Sequence, residues 1–340
     1  MKRDIKSMLL SDLEEYFVSI GEKPYRAKQV FRWLHCGAKA FGCMTDLSEA
    51  LREKLCNEFY ITAPEIVRKQ FSKQDGTIKY LWRMADGAAI ESVVIKYERW
   101  NTVCISTQVG CAMGCVFCAS AIGGLERNLA PSEMLDQVLF SQIDTGLKIS
   151  NVVLMGIGEP LDNFDNVMRF LQLLSHPAGR NIGARHITLS TCGIIENIDK
   201  LAAYSIQLTV TVSLHAPDDE TRNRLMPINN SNSVDALIEA CNRYFSMTGR
   251  RISYEYALID GVNDTVYHAG LMADKLKNTG NHVNIILLND VPGRKFEASS
   301  RENAKAFTGV LSERGVNYTI RRRLGDDIDA SCGQLRRRQA

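Results

Sequence analysis

Four of the ten cysteines fall between residues 104 and 118, and three of them stand as C-x3-C-x2-C in the loop GCAMGCVFCAS: Cys111, Cys115 and Cys118. The loop follows the apolar segment VCIST and precedes a helical stretch from Ser132. It therefore projects from the C-terminal end of a strand, the edge where barrel-like α/β folds build their sites. Three thiolates on so short a loop can bind one metal centre. A structural zinc ion takes four ligands, usually from paired C-x2-C elements, and no second such pair is present. An iron–sulfur cube held by only three cysteines keeps one iron open for an outside ligand, which suits chemistry. Small hydrophobes rarely gather in a Gly-rich, polar-flanked loop, so packing alone is a poor account of the three.

Further polar groups recur at strand ends. The strand NVVLM runs into GIGEP, Gly156 to Pro160, placing Gly158 and Glu159 one strand–helix unit after the cysteines. Ser190 ends RHITLS, Ser213-Leu214-His215 end QLTVTVSL and its turn, and Asn289 ends HVNIILLN. Polar residues at successive strand ends form one rim, a ready binding site.

The elements that must position them follow from periodicity. From residue 103 onward six or seven strand–helix units alternate, with helices expected over 132–146, 164–175, 195–203, 233–247, 265–278 and 300–314, the last capped by Ser299 and Glu302. Continuous apolar strands between helices argue for a parallel sheet covered by helices, in the α/β class, and the number of units favours a barrel-like closure over a doubly wound sheet. Between about 64 and 107 the period falls to two, with Asp75-Gly76 and Asp86-Gly87 as hairpin turns, a β-meander. The first 60 residues read as three helices: one with Leu13, Tyr16, Phe17 and Ile20 on its inner face and Ser11 with Glu14 as a capping box, one opened by Pro24, and one carrying Leu47, Leu51 and Leu55. The resulting division is 1–62, 63–100 and 101–340. Cys241 falls on an apolar helical stripe and reads as core.

Composition sets outer bounds. The 340 residues are 45% hydrophobic and 24% charged, with a net charge of +2, which excludes collagen-like, disordered and histone-like classes. No run approaches the ~18 apolar residues of a membrane span, so a cytoplasmic protein without membrane contact is expected. Residues 294–340 hold 11 Lys/Arg against 6 Asp/Glu, including Arg321 to Arg323 and Arg336 to Arg338, a distribution suited to phosphate.

The cysteine spacing on this loop resembles the radical S-adenosylmethionine (SAM) superfamily. Long segments in order, among them YRAKQVFRWLH, VCISTQVGC, GLERNL, MPIN and GDDIDASCGQL, resemble the RlmN/Cfr family of RNA adenine methyltransferases along nearly the whole chain. That resemblance implies a partial (βα)6 barrel with an N-terminal helical module and a β-meander extension. It implies a [4Fe-4S] cluster on Cys111, Cys115 and Cys118, with SAM on the open iron held by Gly158, Glu159, Ser190, Ser213, Leu214, His215 and Asn289. It further implies two SAM per turnover: one methylates Cys332, and the other generates a radical that activates the S-methyl group for addition to carbon 2 of adenine. Glu91 matches the proton acceptor, and Cys104 the thiol that frees the product through a transient disulfide with Cys332. The implied substrates are 23S rRNA in the peptidyl-transferase region and the adenine next to the anticodon of tRNAs. A low-potential donor such as flavodoxin with its reductase is the implied electron source, and the protein is expected to be a monomer.

Two alternatives stand beside this reading. A Cfr-type enzyme would methylate C8 of the same rRNA adenine; Pro160 and Asp326 follow the C2-type pattern instead. A non-catalytic RNA-binding protein would close a zinc site with Cys104, Cys111, Cys115 and Cys118. The short tail Gly325 to Ala340 is expected to order only with RNA bound.

Overall fold

The computed structural model describes residues 2–204, 206–277, 280–291 and 293–335; Arg336 to Arg338 lie outside the described residues. Helices α1 (Leu10–Ser19), α2 (Tyr25–His35) and α3 (Glu49–Glu58) come first. A meander follows, of β1 (Glu65–Phe71), β2 (Ile78–Arg83) and β3 (Ala89–Lys96), joined by turns with Gly76 and Gly87 at positive φ. Then come β4 (Asn101–Cys104), α4 (Pro131–Thr145), β5 (Asn151–Leu154), α5 (Phe164–Ser175), β6 (Ile187–Thr191), α6 (Ile195–Ala203) and β7 (Thr209–Ser213). The chain continues through α7 (Asp219–Leu225), α8 (Val234–Thr248), β8 (Ile252–Leu258), α9 (Val266–Leu276), β9 (His282–Leu287), α10 (Arg301–Glu313) and β10 (Asn317–Ile320).

All ten strands form one sheet in which spatial order equals chain order, with β1 and β10 at its edges. β1 to β4 pair antiparallel and β4 to β10 parallel. A doubly wound sheet would reverse its order at a switch point; this sheet does not, and it stays open, so the architecture is a partial barrel with the meander continuing its first edge. No described helix is long and apolar enough to cross a membrane.

Two helix caps differ from expectation, by two residues at α1 and by one at α10. Helix α1 already begins at Leu10, so Ser11 lies inside it, and the Asp12 carboxylate accepts the Leu9 N–H at 2.9 Å. At α10 the cap is Ser300, whose hydroxyl accepts from Asn303 N–H, while Ser299 donates to Asp264. A cap must be the last extended residue before the first turn, and sequence pattern does not resolve that position.

The parallel strands are not apolar on both faces as their composition suggested. Outward residues such as Val210, Val212, Tyr254, Tyr256, Val283 and Ile285 join one core with the covering helices, and Phe17, Phe31 and Leu55 of α1 to α3 belong to that same core. The alternate, inward residues Ser190, Ser213, Glu255 and Arg321 border a cavity. Helices therefore cover one face and the barrel interior is the other, which restores the period-two alternation of a half-buried sheet. The N-terminal segment is pinned to α4 by a fully buried pair, Lys6 Nζ to Asp136 Oδ1 at 2.6 Å.

Candidate active site

The cysteine loop is closed at its base by a two-stranded ribbon, Gln108–Gly110 against Leu125–Asn128. Gly110 stands at φ +80°, and a Cβ there would meet the Gly124 carbonyl oxygen at 1.9 Å. Only glycine fits, because the Cys111 N–H donates to that same carbonyl at 3.1 Å and fixes where the loop begins. Cys111, Cys115 and Cys118 all border the cavity. Burial pushes the Cys111 thiol up to about 12 and raises that of Cys115 as well.

GIGEP is held against the strand that precedes the cysteines. Gly156 N–H donates to Ile105 O, Ile157 N–H to the Ser106 hydroxyl, and Glu159 N–H to Gln108 Oε1. Gly158, at φ +105°, packs so closely on Gln108 that a Cβ would lie 2.6 Å from that side chain. The Glu159 carboxylate is buried, which raises its pKa, and it accepts N–H groups of Leu161 at 3.0 Å and Cys192 at 2.8 Å. His215 adopts φ +55°, and its Nδ1 accepts the Ala257 N–H at 2.9 Å. Burial lowers its pKa to about 3, so the ring is neutral with its proton on Nε2. The ring meets Phe117 of the cysteine loop edge-on at 5.0 Å.

Gly158, Glu159, Ser190, Ser213, His215 and Asn289 thus share one cavity with the three cysteines. Leu214 does not line it; its side chain is in the main core, so only its backbone is available there. Asn289 donates Nδ2 to the Cys332 carbonyl at 3.0 Å, while its buried Oδ1 has no partner.

Residues 325–335 of the C-terminal segment dock on the meander and the cysteine loop; the rest of the tail expected to order with RNA lies outside the described residues. Gly325 N–H donates to Asp75, Lys73 N–H to Asp327, and Lys79 Nζ to Asp329 O. Ala119 N–H donates to Gly333 O at 2.8 Å and Ser120 Oγ to Leu335 O at 2.7 Å, so the segment is sewn onto the cysteine loop. These bonds place Cys332 on the cavity wall as an exposed, free thiol, with Arg321 Nη1 3.6 Å from its sulfur. Cys104, also a free thiol, packs with Ile328, Ala330 and Leu335 of the same segment. Burial pushes its thiol up to about 12, and the proximity of Cys332 adds in the same direction. Glu91 does not line the cavity; it is buried on β3 in an ion pair with Lys79 at 3.2 Å.

Comparison with known proteins decides the family. Residues 4–61 match the model "Ribosomal RNA large subunit methyltransferase N-terminal domain", and residues 105–268 match "Radical SAM superfamily". The chain is 48% identical to the "Probable dual-specificity RNA methyltransferase RlmN" of Clostridium tetani (strain Massachusetts / E88), over 98% of this chain and 96% of that protein. The chain belongs to the RlmN family. A protein of the same name from Alkaliphilus oremlandii (strain OhILAs) is 49% identical over 99% of this chain and 98% of its own length. The crystal structure of a radical SAM methyltransferase from Sphaerobacter thermophilus superposes with a TM-score of 0.93 at 41% identity, covering 98% of this chain and 99% of that one.

RlmN-family membership carries a [4Fe-4S] cluster and SAM, and the cavity fits both. Burial holds the protons of Cys111 and Cys115 until a cation takes their place, Cys118 supplies the third soft sulfur, and the unpartnered Asn289 Oδ1 points to a missing polar ligand. Among the described residues no three ligating side chains converge as they would on a single ion; a cube offers each thiolate its own iron, so the sulfurs can stand apart. Cys104 interacts with Cys332 and packs on the C-terminal segment, which removes it from the zinc site of the alternative reading.

One supporting residue of this RlmN-family site escaped the sequence. Arg222 of α7 is fully buried, and its guanidinium donates to the carbonyls of Leu214, Ser213 and Cys192 and to Asn229 Oδ1. It ties the ends of β6 and β7 together beneath the cavity. Nothing in TRNRLMPIN distinguishes it from Arg224, which points elsewhere. Glu255 and Asn284 were equally overlooked, although a Glu inside the otherwise apolar strand ISYEYALI is a usable signal.

Proposed function

We propose that this enzyme methylates carbon 2 of adenine in 23S rRNA, in the peptidyl-transferase region, and in tRNAs next to the anticodon. The observation that carries the reading is Cys332 held on the wall of the cavity that also holds the three loop cysteines, with Cys104 packed beneath its segment. When bound, the cluster and SAM supply the methyl group, the electron and the hydrogen-abstracting radical, with two SAM used per turnover. Glu159, Ser190, Ser213, His215, Asn289 and the Gly158 and Leu214 backbones bind SAM. His215, neutral with Nε2–H outward, acts as a donor and not as a cation. Cys332 carries the methyl carbon to adenine C2, forming a transient bond to the RNA. Glu91 accepts the C2 proton, with Lys79 as its counter-ion, and the Cys104 thiolate attacks the Cys332 sulfur to free the product as a disulfide forms. Reduction restores both thiols.

The division into a helical RNA-binding module (1–62), a meander extension (63–100) and a catalytic core (101–340), a monomeric state, a cytoplasmic location and a flavodoxin-type electron donor belong to the same proposal. The test is anaerobic: reconstitute with iron and sulfide, supply SAM, reductant and unmodified rRNA and tRNA, and identify methylated adenosines by mass spectrometry beside Cys332→Ala. 2-Methyladenosine absent from the variant is expected. 8-Methyladenosine would instead establish the Cfr-type reaction, and no product on a loaded cluster would overturn the reading.

A further inference from the structure

The polar lining of the SAM cavity continues from Glu255 along the inner face of the barrel toward the N-terminal ends of the strands. Glu255, Asn284 and Thr319 are direct register partners across β8, β9 and β10. They form a hydrogen-bonded row: Thr319 Oγ1 donates to Asn284 Oδ1 at 2.8 Å, and Asn284 Nδ2 donates to Glu255 Oε1 at 2.9 Å. One step toward the N-terminal ends of the strands, His282 Nε2 lies 3.1 Å from Thr319 Oγ1. At the other end, Arg321 Nη1 is shared between Glu255 Oε2, at 3.4 Å, and the Cys332 sulfur, at 3.6 Å. A parallel strand covered by helices has no packing reason to carry a buried carboxylate inward, and a buried carboxylate is costly unless it serves a partner.

The two ends of the barrel differ. The C-terminal end is covered by the cysteine loop and the segment sewn to it, with Arg294 also donating to Cys118 O. The N-terminal end carries the short connections that lead into the parallel strands, and these hold Arg99, Lys148, Arg185, Arg250 and Arg251 with Glu98 as their one carboxylate. Exposed Tyr97 and Trp100 pair there at 5.7 Å. A cationic rim with exposed aromatics fits a phosphate backbone and unstacked bases.

We propose that a single RNA nucleotide enters the barrel from the N-terminal ends of its strands, and that Glu255 and Asn284 read the Watson–Crick edge of its base. The carboxylate is the acceptor for the adenine 6-amino group, and the second N–H of Asn284 is the donor for N1; the amide orientation is fixed because only Nδ2 can face a carboxylate. Carbon 2 adjoins N1 on that edge, whereas C8 lies on the opposite side of the base. This rests on the RNA-methyltransferase reading above and adds the residues that select the base and the carbon.

The test uses the reconstituted full chain and an anticodon stem-loop RNA bearing adenine, purine (no 6-amino group) or 1-deazaadenine (no N1) at the target position. The wild-type protein is expected to bind the purine and 1-deazaadenine RNAs about tenfold more weakly than the adenine RNA, the worth of one buried hydrogen bond. Glu255→Ala loses the purine penalty alone and Asn284→Ala the 1-deazaadenine penalty alone, a pattern that general damage to the fold does not produce. Arg251→Gln lowers the slope of log affinity against log salt by about 0.7, one phosphate on a single strand. Wild-type methylation of the adenine RNA with both penalties intact in both variants overturns base reading by these residues. An unchanged salt slope overturns the entry side. Failure of the wild type to methylate the adenine RNA strikes instead at the function on which the inference rests.

Discussion

Arg321 and Cys332 form a contact in which one guanidinium nitrogen, 3.6 Å from the sulfur, also reaches the carboxylate of Glu255. The pairing raises the Arg321 pKa, with Cys332 the largest cause. It makes the Cys332 thiol and the Glu255 carboxylate parts of one electrostatic unit.

Replacing Arg321 with Met leaves the Glu255 carboxylate, only 4% exposed, without its cation. A loss of about 1–3 kcal/mol in urea unfolding is expected. Adding Glu255→Gln to Arg321→Met recovers part of it, because the uncompensated charge is then gone; a fully additive double variant contradicts the coupling.

The loop glycine Gly110 is expected to govern cluster assembly more than global stability. Gly110→Ala puts a Cβ onto the Gly124 carbonyl at a φ of +80° and breaks the ribbon that closes the cysteine loop. Iron and sulfide content after reconstitution should drop sharply, while circular dichroism stays close to wild type. Full cluster loading in the variant would refute this account of the loop.

Stability should fall with acid through His215. Its native pKa, about 3, lies below the ordinary value of 6.5, so between these limits the unfolded chain binds a proton that the folded chain refuses. The stabilising contribution is complete above about pH 6.5 and is lost as pH falls toward 3, by about 1.4 kcal/mol per pH unit. Urea midpoints across that window should decline less steeply for His215→Gln than for the wild type.

Arg222 is the keystone under β6 and β7. Arg222→Met strips the donors from the carbonyls of Cys192, Ser213 and Leu214 at once, for an expected cost of about 3–5 kcal/mol. Arg222→Lys, which keeps the charge but lacks the planar fork, should restore only part of the stability. Equal stability of the Lys variant and the wild type would show that charge alone matters.

Glu91→Gln should stall the reaction after carbon–carbon bond formation, since a Gln cannot take the C2 proton. An RNA–protein adduct persisting through denaturing electrophoresis is expected. Rapid turnover without adduct would move the base elsewhere.

Much of the chemistry was legible in the chain because it is local. Cys111, Cys115 and Cys118 lie on one loop, and Glu159, Ser190, Ser213, His215 and Asn289 each lie at or just beyond the C-terminal end of a strand, so spacing and period alone put them on one rim. The alternation of strands and helices likewise determined a sequential parallel sheet. Leu214 was placed with the site by the family resemblance, and only burial showed that its side chain turns away.

Tertiary structure alone decided what depends on distant segments meeting. Cys332 and Cys104 are joined by a segment that docks on the meander and the cysteine loop, through bonds spanning more than two hundred residues of chain, such as Ser120 to Leu335. Arg222 matters because two strand ends converge on it. Glu255, Asn284 and Thr319 form a row because three strands lie in direct register. Sequence periodicity reports which face of an element is apolar, but register and docking arise from packing between elements, and no local pattern encodes those distances.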